Sequence, residues 1–495
     1  MILFPKVPAP HFKTYKGANN KEIQRESFQK NITESNTMNT NFILDTDSYK
    51  ASHFLQFPEG TDYMVSYSES RGGLFDNTVF FGLQYILKEY FQNPITMEMV
   101  KEAGDFFNKH GLPFPKKDWE YIAGEKKGKL PIRIRAVPEG SVIPNHNALF
   151  TVESTDPKVF WLPGWIETML LRVWYPITVA TLSYELKNVI RGFLDQTSDS
   201  PENEIDFKLH DFGSRGVSSR EQAMIGGAAH LINFSGSDTV VGVDMLNRIY
   251  ESEMSGFSIP ASEHSTITSW GQDGEESAYR NMLKNFSKPG GIFACVSDSY
   301  DIYNACENLW GGSLKQEIQN SGTTVVIRPD SGVPEEVVPA VMEILEKQFG
   351  SETNSKGYRV LNHVRVIQGD GVDWESIPKI LSGIVEKGFS ASNLAFGMGG
   401  ALLQKVNRDT QKFAYKCSGV RIHGEFRGVS KNPITDPGKS SKQGILELIK
   451  RDGKFLTVRR EEIQKSDEIC FETIYEDGEI RKTHTLKQIR KRLNG

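Results

Sequence analysis

Thr323–Gly332 reads TTVVIRPDSG, and Pro334–Phe349 follows as PEEVVPAVMEILEKQF. A short apolar strand ends in Arg328, Asp330 and a glycine, and an amphipathic helix begins. The same texture recurs on both sides: FKLHDFGSR at Phe207–Arg215, DTVVGVD at Asp238–Asp244, SIPASEHSTITSW at Ser258–Trp270, IFACVSDSYD at Ile292–Asp301, VRVIQGDG at Val364–Gly371 and LAFGMGG at Leu394–Gly400. A second clear helix is expected at Trp374–Lys387. Strands alternating with helices make a parallel sheet. Seven such units, each polar at the carboxyl end of its strand, point to a closed or nearly closed α/β barrel with its chemistry at those ends.

The mouth of that barrel would display Arg215, Asp238, His264, Asp298, Arg328, Asp330, Gly369, Asp370, Gly399 and Gly400. Two arginines can each fork onto phosphate oxygens. Gly369 and the Gly397–Gly400 run offer bare backbone N–H groups that suit a phosphate at a helix start. The aspartates can accept from sugar hydroxyls or hold Mg²⁺ through water. His264 can exchange charge or carry a phosphate near neutral pH. The set describes a site for a phosphorylated sugar bearing a diphosphate. Plainer readings stand beside it: Asp298 and Asp238 as caps of the following turn or helix, and His264 as a hydrogen-bonded structural residue.

Outside the barrel, residues 1–40 form a polar tail, either disordered or an over-long start with Met38 as the alternative. Asn41–His53 is expected to begin as a short strand and to end in Asp45, Asp47, Ser48, Tyr49 and Lys50. Tyr63–Ser70, Leu130–Val137 and Ser141–Glu153 read as strands, the last with a turn at Pro144-Asn145. Thr78–Phe91, Phe160–Arg172 and Thr178–Leu194 carry helical spacing. From Lys416 the chain returns to short strands, and it ends in a basic helix, IRKTHTLKQIRKRLNG, expected to be a solvated face. The division is therefore an α+β domain at 41–180, mainly an antiparallel sheet, completed by 416–495, around an α/β barrel at 181–415. The net charge of −5 gives no reason to expect nucleic acid or an anionic membrane as partner. Four scattered cysteines without zinc-like spacing favour reduced thiols in a cytoplasmic protein, and no apolar run is long enough to span a bilayer.

Eight motifs in order, LDTDSYK, KLHDFGSRGVSS, DTVVG, ASEHSTIT, VSDSYD, IRPDSG, VIQGDGVD and AFGMGGALLQK, resemble those of the nicotinamide phosphoribosyltransferase family from about Asn41 to the C-terminus. The resemblance implies an irregular (β/α) barrel of the type II phosphoribosyltransferase kind and a homodimer with shared active sites. The reaction implied is synthesis of nicotinamide mononucleotide, in NAD salvage, from nicotinamide and phosphoribosyl pyrophosphate. Mg²⁺ and ATP are implied as helpers, ATP being hydrolysed through a phosphohistidine. By the same resemblance His264 carries the phosphoryl group, Phe212 and the partner's copy of Tyr49 sandwich the pyridine ring, and Asp238 bonds the carboxamide. Arg215 and Arg328 meet the diphosphate and Asp330 the ribose. Gly369, Asp370, Gly400 and the partner's copy of Arg408 form the nucleotide phosphate and ribose site, while Lys416, Lys431 and Lys439 form a basic rim near the phosphates. Which residues hold Mg²⁺ is left open. The short Ser70–Leu74 loop, where vertebrate members carry a longer charged one, points to a bacterial-type member, and Ala414 stands where a serine is often found. The nearest rival, a nicotinate phosphoribosyltransferase, shares fold and chemistry, and Asp238 argues against it. An inactive binding protein on the same scaffold is opposed by the intact His264, Arg328 and Asp330.

Overall fold

The computed structural model of the chain describes residues 41–435 and 440–494. The tail, Met38 and Lys439 lie outside the described residues.

Six parallel strands run in the spatial order Gly236–Ser237, Leu209–Asp211, Leu394–Met398, Val364–Gln368, Thr324–Arg328, Ile292–Val296. The two outer strands do not pair with each other. The segment Phe257–Ala261 lies between them and closes the barrel. Ser237 N donates to the Phe257 carbonyl at 3.0 Å and Phe257 N to that of Ser235 at 2.8 Å. On the other edge Ala294 N donates to Pro260 O at 2.9 Å and Ser262 N to Ala294 O at 3.1 Å.

Side chains alternate across such strands. Phe293, Cys295, Val325, Ile327, Val364 and Val366 face out and join the main core beneath the helices. Ala294, Val326 and Ile367 face in and form a separate small cluster with Phe212, Ile259 and Ala395. Two of these six are alanines, so the centre is not filled by layers of branched side chains as in a solid barrel.

The other large sheet has seven strands, ordered Glu425–Gly428, Phe413–Ile422, Thr61–Ser70, Ala148–Ser154, Ile132–Ala136, Glu472–Glu476, Glu479–Ile480. Its pairings are antiparallel, and strands from both ends of the chain lie side by side, with Tyr67 opposite Lys416.

Four local expectations are corrected. Asn41–Leu44 is not a strand: the Asn41 side chain accepts from Ile43 N at 3.0 Å and turns Phe42–Leu44 into one 3₁₀ turn. Thr78–Phe91 is only partly helical. It starts as the strand Asn77–Val79, turns at Gly82 in a left-handed conformation (φ 99°), and is helical from Leu83. DTVVGVD is not a strand either. The strand is Gly236–Ser237, and Val240–Ile249 is a helix with Gly242, Met245 and Leu246 buried at helical spacing. Its valines mimic a strand, but Gly242 brings this helix so close to its neighbour that a Cβ would lie 2.8 Å from the Gly227 carbonyl carbon. Lastly, the terminal helix Leu486–Leu493 is not simply solvated. Leu486 and Ile489 are buried, and Arg490 donates to the carbonyls of Leu231 (2.7 Å), Phe234 (3.1 Å) and Ser255 (2.8 Å). Those acceptors include the last carbonyl of the helix Arg220–Leu231, which a cation suits.

Candidate active site

Phe212, Arg215, Asp238, His264, Arg328, Asp330 and Gly369 line one open cavity of about 840 Å³ at the barrel mouth. His264 opens a one-turn helix, His264–Thr268, whose start is fixed by a reciprocal cap between Glu263 and Thr266. Its Nε2 lies 3.1 Å from Asp298 Oδ1 and its Nδ1 3.9 Å from Asp330 Oδ2. Asp298 is no helix cap, which corrects the plainer reading; Asp301 takes that role, accepting from Tyr303 N and Asn304 N. The second oxygen of Asp298 accepts from Asp330 N at 2.9 Å and Ser331 Oγ at 2.5 Å. One buried carboxylate thus orients the imidazole and the IRPDSG loop together. Arg328 Nη2 stands 3.6 Å from Asp330 Oδ2, and burial raises the Asp330 pKa against the pull of Arg328, with Asp298 adding to the rise.

The floor is built on glycine. The Phe212 ring lies over Gly397, where a Cβ would come within 1.9 Å of it. At Gly369 a Cβ would sit 3.0 Å from Asp330 Oδ1 and 3.5 Å from the same ring. Asp238 N donates to Asp211 O at 2.9 Å, and Asp238 Oδ1 accepts from Ser258 Oγ at 2.6 Å. Phe212, Asp238, Ala261 and Arg328 also border a second cavity of about 540 Å³, which passes Ile259, Ala294, Val326 and Ile367 inside the barrel.

Beneath Phe212, the wholly buried Asp211 accepts from Gly213 N at 2.7 Å and shapes the turn toward Arg215. Burial pushes its carboxyl up to about 6, with Thr239 and Gly213 opposing and Asp238 adding. A pKa raised on folding stabilises fully below the unfolded value and loses that contribution as pH rises through the folded one. Asp211→Asn keeps an oxygen for Gly213 N and cannot ionise. Relative to the parent it gains on the order of 2 kcal/mol of stability between pH 4 and pH 7. Denaturant melts of both proteins at the two pH values check this; a constant difference between them refutes it.

Four expected site residues are not brought to this mouth. Tyr49 is 58% exposed, edge-on to His53 at 4.7 Å. Arg408, Lys416 and Lys431 line a separate cavity of about 690 Å³ with Arg71, His146, Lys412 and Ala414. Burial lowers the Lys416 pKa, Glu167 opposes, and Arg71 and Lys431 lower it further. Five cationic side chains outnumber the two carboxylates, Glu167 and Asp409, that also line this cavity, an excess that suits an anion. Asp370, Gly399 and Gly400 flank the mouth: Asp370 follows Gly369 and its carbonyl takes Gln368 Nε2 at 2.6 Å, while Gly399 caps the one-turn helix Gly400–Leu403.

Several residues of these sites escaped the sequence reading. Arg71, whose Nε is held by Glu69 at 2.8 Å, lay in a loop noted only for its shortness. Asp298 was expected at the mouth, but its hold on His264 was not. Asp211 and Ser258 stood in motifs where a neighbour drew the attention.

A curled parallel barrel with arginines, aspartates and a histidine around a glycine floor is the type II phosphoribosyltransferase arrangement. The nicotinate phosphoribosyltransferase (NAPRTase) family model matches residues 207–493, and the model of the nicotinamide phosphoribosyltransferase N-terminal domain matches residues 41–134. A nicotinamide phosphoribosyltransferase of Xanthomonas campestris pv. campestris is 54% identical over 91% of this chain and 97% of its own. Another, from Acinetobacter baylyi, is 32% identical over 90% and 96%. Among solved structures, nicotinate-nucleotide pyrophosphorylase from Pyrococcus furiosus (TM-score 0.61, 15% identity, 93% and 97% of the two chains) shares the fold. So does human nicotinic acid phosphoribosyltransferase (TM-score 0.53, 17% identity, 91% and 92%). The chain belongs to the nicotinamide phosphoribosyltransferase family, and it is a pentosyltransferase.

Proposed function

We propose that the enzyme joins nicotinamide to phosphoribosyl pyrophosphate, giving nicotinamide mononucleotide and pyrophosphate for NAD salvage. The observation that carries this reading is Asp238, a carboxylate presented to the cavity beside the Phe212 ring and the Arg328 guanidinium. The ring nitrogen of nicotinamide attacks C1 of the ribose as the C1–oxygen bond to diphosphate breaks. Arg215 and Arg328 neutralise charge on the departing diphosphate, and Asp330 favours the cationic ribose. The attacking nitrogen carries no proton, so the step needs no base. Stacking on Phe212 supplies position, which accounts for much of the barrier. Among the described residues no three His, Cys, Asp or Glu side chains are arranged to hold a metal ion by themselves, so a Mg²⁺ here would arrive with the diphosphate, with Asp330 giving one oxygen and the diphosphate and water the rest. Bound, the ion would further neutralise the leaving group.

Ionised, Asp238 only accepts hydrogen bonds, and the carboxamide NH₂ donates one. Nicotinate has no donor there and carries a like charge. A hydrogen bond to a charged group is worth about 1.5–3 kcal/mol, so Asp238→Asn or Asp238→Ser lowers the nicotinamide-to-nicotinate ratio of kcat/KM by roughly ten- to a hundredfold. Turnover with each substrate, alongside a melting curve, tests this. A changed melting temperature with an unchanged ratio would make Asp238 a cap, and preference of the parent enzyme for nicotinate would overturn the reading.

ATP enters the proposal through His264. With Nε2–H donated to Asp298, Nδ1 carries the lone pair and faces Asp330 and the cavity. His264 attacks the γ-phosphorus of ATP, ADP leaves, and water later hydrolyses the phosphohistidine to phosphate. The dimer enters through Tyr49 and the second cationic cavity, which in a single chain stand apart from the mouth. A symmetric pair brings each chain's Tyr49, Arg408, Lys416 and Lys431 to the partner's barrel. A cytoplasmic location fits the free thiols of Cys295, Cys306, Cys417 and Cys470.

A further inference from the structure

Ser258 sits on the segment that closes the barrel, twenty residues along the chain from Asp238. The closing hydrogen bonds use the backbone of Phe257, Pro260 and Ser262 and no atom of Ser258. Its hydroxyl has one partner among the described residues, Asp238 Oδ1 at 2.6 Å. The neighbouring imidazole, His210, is engaged elsewhere, by the Phe207 carbonyl at 3.0 Å. Asp238 is therefore held by its backbone N on one side and by one carboxylate oxygen on the other, and Oδ2 is left for whatever occupies the cavity.

We propose that Ser258 is a specificity-determining positioning residue: it fixes the Asp238 carboxylate with a single oxygen turned to the ring substituent, and so sets the choice of amide over acid. The inference rests on the reading of Asp238 as the carboxamide acceptor. In the open cavity water competes for the Ser258–Asp238 bond. When a ring enters and expels that water, the bond strengthens and the carboxylate can no longer swing away. Without the hydroxyl, Asp238 can rotate off the ring substituent. Nicotinamide then loses an oriented acceptor, and nicotinate no longer meets a fixed like charge.

The test uses the full-length enzyme with Ser258→Ala, Ser258→Thr and Asp238→Ser, measuring kcat/KM for nicotinamide and for nicotinate and the melting temperature of each. The expected result is a nicotinamide-to-nicotinate ratio about tenfold lower in Ser258→Ala, restored in Ser258→Thr, with an unchanged melting temperature. If Ser258→Ala keeps the parental ratio while Asp238→Ser lowers it, Ser258 is a bystander and the inference fails alone. Equal loss on both substrates, or no rescue by threonine, also overturns it. If Asp238→Ser leaves the ratio where it was, the acceptor reading fails first and takes this inference with it.

Discussion

His264→Ala loses ATP hydrolysis by on the order of a thousandfold or more, yet keeps a slow synthesis of nicotinamide mononucleotide that ATP no longer accelerates. The two outcomes separate because the proposed mechanism gives the imidazole one task and not the other. Nicotinamide's nitrogen has no proton to surrender, so a base at the attack site has nothing to remove. Phosphoryl transfer needs a nucleophile with a fixed lone pair, and Asp298 fixes it by holding Nε2 at 3.1 Å. The other groups at the mouth, Phe212, Asp238, Arg328 and Asp330, are untouched by the substitution. Following ADP release and nucleotide formation in parallel decides the matter. A variant that still hydrolyses ATP at the parental rate removes the phosphohistidine from the mechanism.

Two crippled chains should repair each other. In the proposed dimer, Tyr49→Ala removes the ring that each barrel would borrow, and His264→Ala removes the proposed phosphoryl carrier. In a mixed dimer, one mouth pairs the intact His264 of the first chain with the intact Tyr49 of the second, and the other mouth carries both lesions. Random pairing makes half the dimers mixed, so roughly a quarter of the sites, and of the ATP-dependent activity, return. Two different affinity tags report whether mixed dimers form. Their presence without recovered activity would show that Tyr49 does not act across the subunit boundary.

Much of the barrel was legible because its strands are short apolar runs with polar ends, and Pro334–Phe349 announces its helix with proline and glutamates in the first turn. What closes the barrel was not. Gly236–Ser237 is two residues long, and Phe257–Ala261 contains a proline and no run of β-formers, so its place depends on edges supplied by distant strands. Val240–Val243 misled in the opposite direction, since β-branched residues on a half-exposed helix read locally as a strand. The candidate site shows the same split. Side chains that meet solvent at a strand end, such as His264, Arg328 and Asp330, stand out by type. Those that act on other side chains, Asp298 on His264 and Ser258 on Asp238, are defined by contacts 34 and 20 residues apart, and no local pattern records them.

The alanines inside the barrel carry a thermodynamic consequence. A solid barrel brings its own central layer. Here Ala294 and Ala395 leave that layer thin, and an aromatic guest resting against Phe212 supplies van der Waals partners that the chain does not possess. A guest bound by the folded chain and not by the unfolded one makes the unfolding free energy a function of its concentration. Above the dissociation constant, each tenfold rise adds about 1.4 kcal/mol, and a cell rich in the vitamin holds a sturdier enzyme than a starved one.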